Sequence, residues 1–256
     1  MVEGLEKLKE HFQGYEDKFI IIGGTACEVR LESRGIDYRV TTDIDMILVI
    51  EIIEKDFLEL FWDFIRDGEY RVGEYEPERK NLFRFSDPST RDFPVTMELF
   101  TRKPDGIVLP EGFHLTPFPQ DDGFSGMSAM LLDDDYYNFT IKHSDIIDGL
   151  RIAREASLIS LKCKAFLNNR ERKERGEQVR NDDIQKHKKD VLKLAATLPG
   201  DDPIACPDSI RRDIGNFIDI VSFENPDVST MVKNARLGNI KLSDILERMT
   251  AYFRLA

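Results

Sequence analysis

Asp43 and Asp45 sit one residue apart at the head of an apolar run, Met46-Ile47-Leu48-Val49-Ile50, and the pair begins 19 residues after the double glycine Gly23-Gly24. A run of this kind reads as a strand, and side chains alternate along a strand. Both carboxylates then face one way and Ile44 faces the other. Two hard oxygen ligands on a rigid element suit Mg2+ or Mn2+. A Gly-Gly turn ahead of a helix lets backbone N–H groups approach a phosphate. Together these features predict a site that handles a metal-bound nucleotide.

Three further positions carry chemistry in the same direction. A two-metal site usually needs a third carboxylate, and Glu98 is the candidate, because it shares a strand face with Thr96 and Phe100 in Thr96-Met97-Glu98-Leu99-Phe100. On a helical wheel Lys162 falls near the middle of the apolar arc formed by Leu158, Ile159, Leu161, Ala165 and Phe166. A lysine on a buried face needs an anionic partner, either a phosphate or a carboxylate. His187-Lys188-Lys189-Asp190 follows on a second helix. Asp190 suits a general base or a group that orients Lys162. Helical phase leaves Lys188 and Lys189 both open for phosphate contact, leaning to Lys188, and gives His187 a packing or capping role. The sequence contains no Gly-x-Ser-x-Gly elbow, Walker loop, dinucleotide fingerprint or His-Glu-x-x-His motif.

The charge balance narrows the partners. The 256 residues carry a formal net charge of −12, which argues against broad nonspecific binding to nucleic acid. The segment from Lys162 to Lys193 departs from this, with 11 Lys/Arg against 6 Asp/Glu. It reads as a mixed-charge helical hairpin or as a face for a polyanion. No apolar stretch approaches the roughly 18–20 residues of a membrane span. The N-terminus lacks a secretory apolar region. Cys27, Cys163 and Cys206 are scattered and odd in number. A cytoplasmic protein without disulfides or a zinc site is the expectation.

The elements that must position these residues follow from periodicity and turn signals. Residues 3–14 predict a short helix and Phe19-Ile20-Ile21-Ile22 a strand ended by Gly23-Gly24. Thr25 to Ser33 predicts a helix, Asp43 to Glu51 a strand and Asp56 to Arg66 a helix. Strands are expected at 70–72, 82–85 and 95–100, with short β segments through 107–142. From about Asp145 the pattern becomes helical, with helices at 150–169, 184–198, 209–222, 229–237 and 242–255, and with Ser209 and Ser229 as N-caps. The layout is an α/β half, residues 1–148, followed by a helical half, residues 149–256.

Ile21-Ile22-Gly23-Gly24-Thr25-Ala26 followed by Thr41-Thr42-Asp43-Ile44-Asp45 resembles the nucleotidyltransferase superfamily, and most closely the AbiEii/AbiGii-like enzymes of bacterial abortive-infection toxin–antitoxin systems. Lys162-Cys163-Lys164-Ala165-Phe166-Leu167 resembles that group's lysine helix, and Lys189-Asp190 its later Lys-Asp element, so the resemblance spans roughly residues 18–198. It implies an α+β fold: a mixed β-sheet with flanking helices, followed by a helical C-terminal part that contributes Lys and Asp to the site. It also implies Mg2+-dependent transfer of a nucleoside monophosphate from an NTP to an acceptor hydroxyl on tRNA, a protein or a small molecule, and an antitoxin partner if the chain is a toxin. Carried over by position, Gly23, Gly24 and Thr25 hold phosphates, Asp43 and Asp45 hold the metal, Lys162 and Lys189 contact the nucleotide, and Asp190 assists the acceptor or nucleotide; Glu98, the third metal ligand proposed from its strand, stands where an Asp is more usual. The long polar connection from Asn168 to Asp183 and the helical tail depart from the compact pattern of that group. An Asp-x-Asp glycosyltransferase and a non-catalytic nucleotide- or partner-binding module are the rival readings of the same residues.

Overall fold

The structure is a computed structural model, and it describes residues 2–49, 55–72, 84–100, 133–199, 202–229 and 240–255. By their contacts the residues group into two compact units. The first comprises Met1–Glu28, Val40–Phe124 and Ser144–Ala153, and the second comprises Val29–Arg39, Ser125–His143 and Arg154–Ala256.

Among the described residues, the first unit is built on a mixed seven-stranded sheet. Its strands are β1 (Phe19–Ile22), β2 (Asp43–Leu48), β3 (Arg71–Val72), β4 (Arg84–Ser86), β5 (Thr96–Phe100), β6 (Ser144–Ile147) and β7 (Leu150–Ala153), in the order β3-β4-β5-β2-β1-β7-β6. β2 pairs parallel with β5 and antiparallel with β1, and β1 pairs parallel with β7. β1 is apolar and buried along its whole length, and β2 is so from Met46 to Leu48. Register divides their side chains. Phe19, Ile21, Ile44, Met46 and Met97 share one face, and Ile20, Ile22, Asp43, Asp45, Ile47 and Glu98 share the other.

Helices α1 (Leu5–His11) and α3 (Lys55–Asp67) cover the first of these faces with aromatic side chains. Phe12 meets Phe19, Phe57, Phe61 and Phe64 at ring-centroid distances of 5.4 to 6.0 Å. Phe61 reaches Phe85 of β4, and Phe64 reaches Phe93. Burying each such ring contributes roughly 1.5–3 kcal/mol. This cluster therefore fixes one face of the sheet and leaves the carboxylates on the opposite one. Helix α2 (Gly23–Glu32) starts directly at the end of β1, with no intervening loop.

Two expected elements differ. Helix α4 (Asp134–Lys142) replaces the β segment expected there. The Asp133 side chain accepts a hydrogen bond from the Asp135 N–H at 2.8 Å, and two acids occupy the first turn, a pattern that favours a helix start. The Tyr136, Tyr137 and Thr140 side chains are buried on this helix. The helix expected from residue 150 begins later, because Leu150–Ala153 pairs with Ser144–Ile147 in a hairpin. Its two turn residues, Asp148 and Gly149, have φ of 48° and 78°, the positive values a tight two-residue hairpin turn requires. The Asp-Gly signal thus marks a turn within a sheet.

The second unit is helical. It contains α4, α5 (Glu155–Glu174), α6 (Asn181–Ala195), α7 (Asp208–Glu224) and α8 (Leu242–Tyr252). α5 packs along α6 and α7, with Phe166 and Phe217 5.1 Å apart edge to face. Tyr136 and Lys164 both donate to Asp213, at 2.6 and 2.8 Å, and tie α4, α5 and α7 together. α7 starts one residue before Ser209, whose hydroxyl donates to Asp135 rather than capping the helix. Residues 230–237 of the helix expected after Ser229, the strand residues 82 and 83, and the β segments of 107–132 lie outside the described residues. No helix among the described residues is long and apolar enough to cross a membrane.

Candidate functional site

In the first unit, the junction of β1, α2, β2 and β5 gathers six of the singled-out residues. Ile22 pairs with Asp45 across β1 and β2, so Asp45 stands beside the residue that precedes Gly23. Gly23 has φ +67°, a backbone conformation that costs an L side chain roughly 1–2 kcal/mol. A Cβ built on Gly23 would overlap Asp45 Oδ2 and lie 2.6 Å from its Cγ. The glycine therefore serves two ends: it turns the chain from strand to helix, and it makes room for a carboxylate at the helix start.

Two threonines hold this junction. Thr25 Oγ1 donates to the Asp43 carbonyl oxygen at 2.8 Å, which fastens the start of α2 to the start of β2. Thr41 Oγ1 donates to Glu28 Oε2 at 2.7 Å, with both residues buried. Gly23, Gly24 and Thr25 are themselves buried, Asp43 is exposed and Asp45 is half-buried. Glu98 on β5 pairs with Asp45 in the parallel ladder and is half-buried, so the β2–β5 register puts the three carboxylates on one sheet face.

Among the described residues, no group of three or more Asp, Glu, His or Cys side chains converges closely enough to hold a metal ion unaided. The donor set still fits a hard divalent cation. Mg2+ is commonly held by one or two carboxylates and completes its shell with substrate phosphates and water. Asp43 and Asp45, adjacent on one face with Asp43 exposed, offer that arrangement.

In the second unit, Lys162 and Asp190 form a buried ion pair, Nζ to Oδ2 at 3.1 Å, with each residue 3% exposed. The wheel position of Lys162 thus places it inward, and its anionic partner is a carboxylate of this chain. Arg39 Nη2 reaches the same Oδ2 at 3.4 Å. Burial would raise the Asp190 carboxyl, but Lys162 and then Arg39 outweigh it and hold the group below the ordinary Asp value. His187 lies buried one turn before Asp190 on α6. Burial first, then the charges of Lys162 and Lys186, push it down to about 2, so the ring is neutral. Its buried Nδ1 has no hydrogen-bond partner among the described residues.

The two lysines that helical phase left open now separate. Lys188 is buried and donates to Glu224 Oε2 at 2.8 Å, so it serves the α6–α7 contact. Lys189 is exposed. The basic run is in large part internally paired: Arg170 with Glu224, Arg172 and Arg175 with Glu177, Arg180 with Asp182, and Lys186 with Asp183.

Sequence reasoning missed Arg39 and Glu28. Nothing in spacing links Arg39 to a residue 151 positions later. Glu28 carried a weak signal, as a lone acid in the otherwise apolar middle of α2, which calls for a buried partner.

No protein-family model matches the chain, and no curated protein matches it significantly. Among solved structures, it is similar to one described as a "putative nucleotidyltransferase from H. pylori", at 12% identity and a TM-score of 0.30, over 98% of this chain and 90% of that one. A superposition at that score assigns no residue a role.

Proposed function

We propose that the chain is a metal-dependent nucleotidyltransferase that moves a nucleoside monophosphate from an NTP to an acceptor hydroxyl. The observation that carries this reading is the seat of the Asp45 carboxylate against Gly23, at the point where β1 becomes α2. A strand carboxylate beside the N-terminus of a helix puts a cation-binding group and an anion-binding end next to each other. A triphosphate with its divalent cation is the ligand that uses both.

In this reading Gly23, Gly24 and Thr25 present backbone N–H groups and a helix N-terminus to phosphate oxygens. Asp43 and Asp45 would hold Mg2+ or Mn2+, with Glu98 beside them. When bound, the ion supplies neutralisation of the charge that builds on the triphosphate. The acceptor oxygen forms a bond to the α-phosphorus as its O–H proton passes to water, the bond from the α-phosphorus to the α–β bridging oxygen breaks, and pyrophosphate leaves with that electron pair. The chain's own contribution is mainly orientation and fixed electrostatics.

The resemblance gives Lys162 a nucleotide contact and Asp190 an assisting part. An ion-paired carboxyl held below its ordinary value is a weak proton acceptor. Orienting Lys162 is therefore the role we favour for Asp190 over general base. Lys189 is exposed and is proposed only as a peripheral nucleotide contact. The acceptor, tRNA or protein or small molecule, and a toxin paired with an antitoxin remain parts of the same proposal.

The test is incubation of the full chain with each α-32P-labelled NTP, Mg2+ or Mn2+, and total RNA or protein extract. Label should move to an acceptor, and Asp43→Ala with Asp45→Ala should abolish the transfer while the circular dichroism spectrum is unchanged. Transfer that survives the double change, or transfer from a UDP-sugar in place of an NTP, would overturn the reading.

A further inference from the structure

We infer that Arg39 is a positioning residue, which clamps the Asp190 carboxylate and through it holds Lys162 in place. The link of this role to nucleotide transfer rests on the function proposed above.

The geometry is specific. Asp190 Oδ2 is shared by two cations, Lys162 Nζ at 3.1 Å and Arg39 Nη2 at 3.4 Å. Lys162 approaches from α5 and is buried, whereas the Arg39 side chain is 44% exposed. Arg39 belongs to a short strap, Asp37-Tyr38-Arg39, that α6 holds at two further points. Lys193 Nζ donates to the Asp37 carbonyl oxygen at 2.7 Å and lies 5.8 Å from the centroid of the Tyr38 ring. The Arg39 guanidinium lies 5.1 Å from the centroid of that same ring. The ring therefore engages two cations and restricts the rotamers of both.

The Asp190 carboxylate is one of the groups that tether the buried Lys162 ammonium, so its orientation bears on where that ammonium sits. An aspartate free to change its χ1 would carry Lys162 with it. A second donor on the same oxygen, itself packed on a tyrosine ring, removes that freedom. The strap thereby converts a two-residue ion pair into a three-residue cluster with one orientation. Because Arg39 is partly exposed, the clamp can be changed without leaving a buried charge unpaired, which allows it to be tested.

The experiment is competitive acetylation of lysine amines in the full chain with no nucleotide present, read lysine by lysine by mass spectrometry. The variants are Arg39→Ala, Arg39→Lys and Asp190→Asn. With Arg39→Ala, Lys162 should label about fivefold faster, the factor for loss of a partly exposed ion pair. Lys164, paired with Asp213, and Lys188, paired with Glu224, should keep their wild-type rates. Arg39→Lys should restore part of the protection, and Asp190→Asn should exceed the effect of Arg39→Ala. An unchanged Lys162 rate in Arg39→Ala overturns the proposal. So does a parallel rise at Lys162, Lys164 and Lys188, which would mean general loosening.

A second arm measures transfer. Arg39→Ala should lower kcat more than it raises the KM for NTP, with partial rescue by Arg39→Lys. If the wild-type chain transfers no nucleotide, the function proposed above fails, while the labelling arm still decides the role of Arg39.

Discussion

The Asp45 carboxylate occupies the space into which a side chain on Gly23 would project, with Asp45 Cγ 2.6 Å from that position. Gly23→Ala should therefore combine backbone strain at φ +67° with displacement of a carboxylate. A loss of about 2–4 kcal/mol is expected from the two effects. Urea denaturation measures it, and NTP-dependent thermal stabilisation should vanish in the same variant. Gly215 is the control. It lies within α7, and a Cβ at this position would meet nothing within 4 Å, so Gly215→Ala should raise stability by roughly 0.5–1 kcal/mol.

Thr25→Val and Thr41→Val test the two ties between α2 and the approach to β2. Each removes one donor while keeping a similar shape and should cost roughly 0.5–1.5 kcal/mol. Thr41→Val should cost more, since Glu28 stays buried with one fewer donor. In nucleotide-transfer assays Thr25→Val should act on turnover, because it loosens the backbone that carries Asp43. Equal loss of stability and activity in both variants would count against that link.

Removing one member of the Lys162–Asp190 pair leaves the other buried charge with less compensation. Asp190→Asn should cost up to about 3–5 kcal/mol, and Lys162→Met should cost less, because Arg39 stays on the Asp190 carboxylate. The double variant should recover a good part of this, since two buried neutral side chains need no ionic partner. Transfer activity should not recover with stability. A double-mutant cycle by urea denaturation, run beside the labelled-NTP assay, separates the two roles.

The same pair and its neighbour set an acid limit. The Asp190 carboxyl is held below its ordinary value of 3.8. Its contribution is therefore complete above about that pH and disappears as pH falls through the folded-state value. His187 acts over a wider span, since its folded value is about 2 against 6.5 unfolded. Below about pH 6.5 the unfolded chain takes a proton that the folded chain refuses, so stability falls as pH falls, by up to ~1.4 kcal/mol per unit. His187→Leu should flatten the dependence of the urea midpoint between about pH 6 and about pH 4.5. A slope unchanged by that substitution would show that other groups bind the proton.

Glu98→Gln probes the third carboxylate. Glu98 is in register with Asp45 on the neighbouring strand, where like charges repel. The variant should be as stable as the wild type or slightly more so without metal, and should need a higher Mg2+ concentration for transfer. A metal titration of activity decides it: an unchanged requirement removes Glu98 from the site.

Much of the first unit was legible in local signals. The short apolar run of β1, its Gly-Gly stop, and the Asp-x-Asp head of β2 each announce themselves within a few residues. The aromatic helix α3 does so by helical spacing. The alternation that placed Asp43 with Asp45, and Glu98 with Thr96 and Phe100, needed only the period of a strand. Where expectation and structure part, two local signals compete. At 134–142, where short β segments are expected, Asp133 and the acids after it start a capped helix. At 144–153, where the pattern predicts the start of the helical half, the Asp148-Gly149 turn closes a hairpin.

The sequence by itself determined which residue types stand on which face of which element, because helical and strand periods are properties of the local backbone. It determined that Lys162 points inward and that Gly23 ends a strand. Tertiary structure decided the partners. Strand order and register set Asp45 against Gly23 and Glu98 beside Asp45, and helix packing gave Asp190 to Lys162, Glu224 to Lys188 and Arg39 to Asp190. These pairings join residues far apart in the chain, and periodicity carries no information about such separations. They arise only when apolar faces are buried together and every charge drawn in with them must find its counterpart.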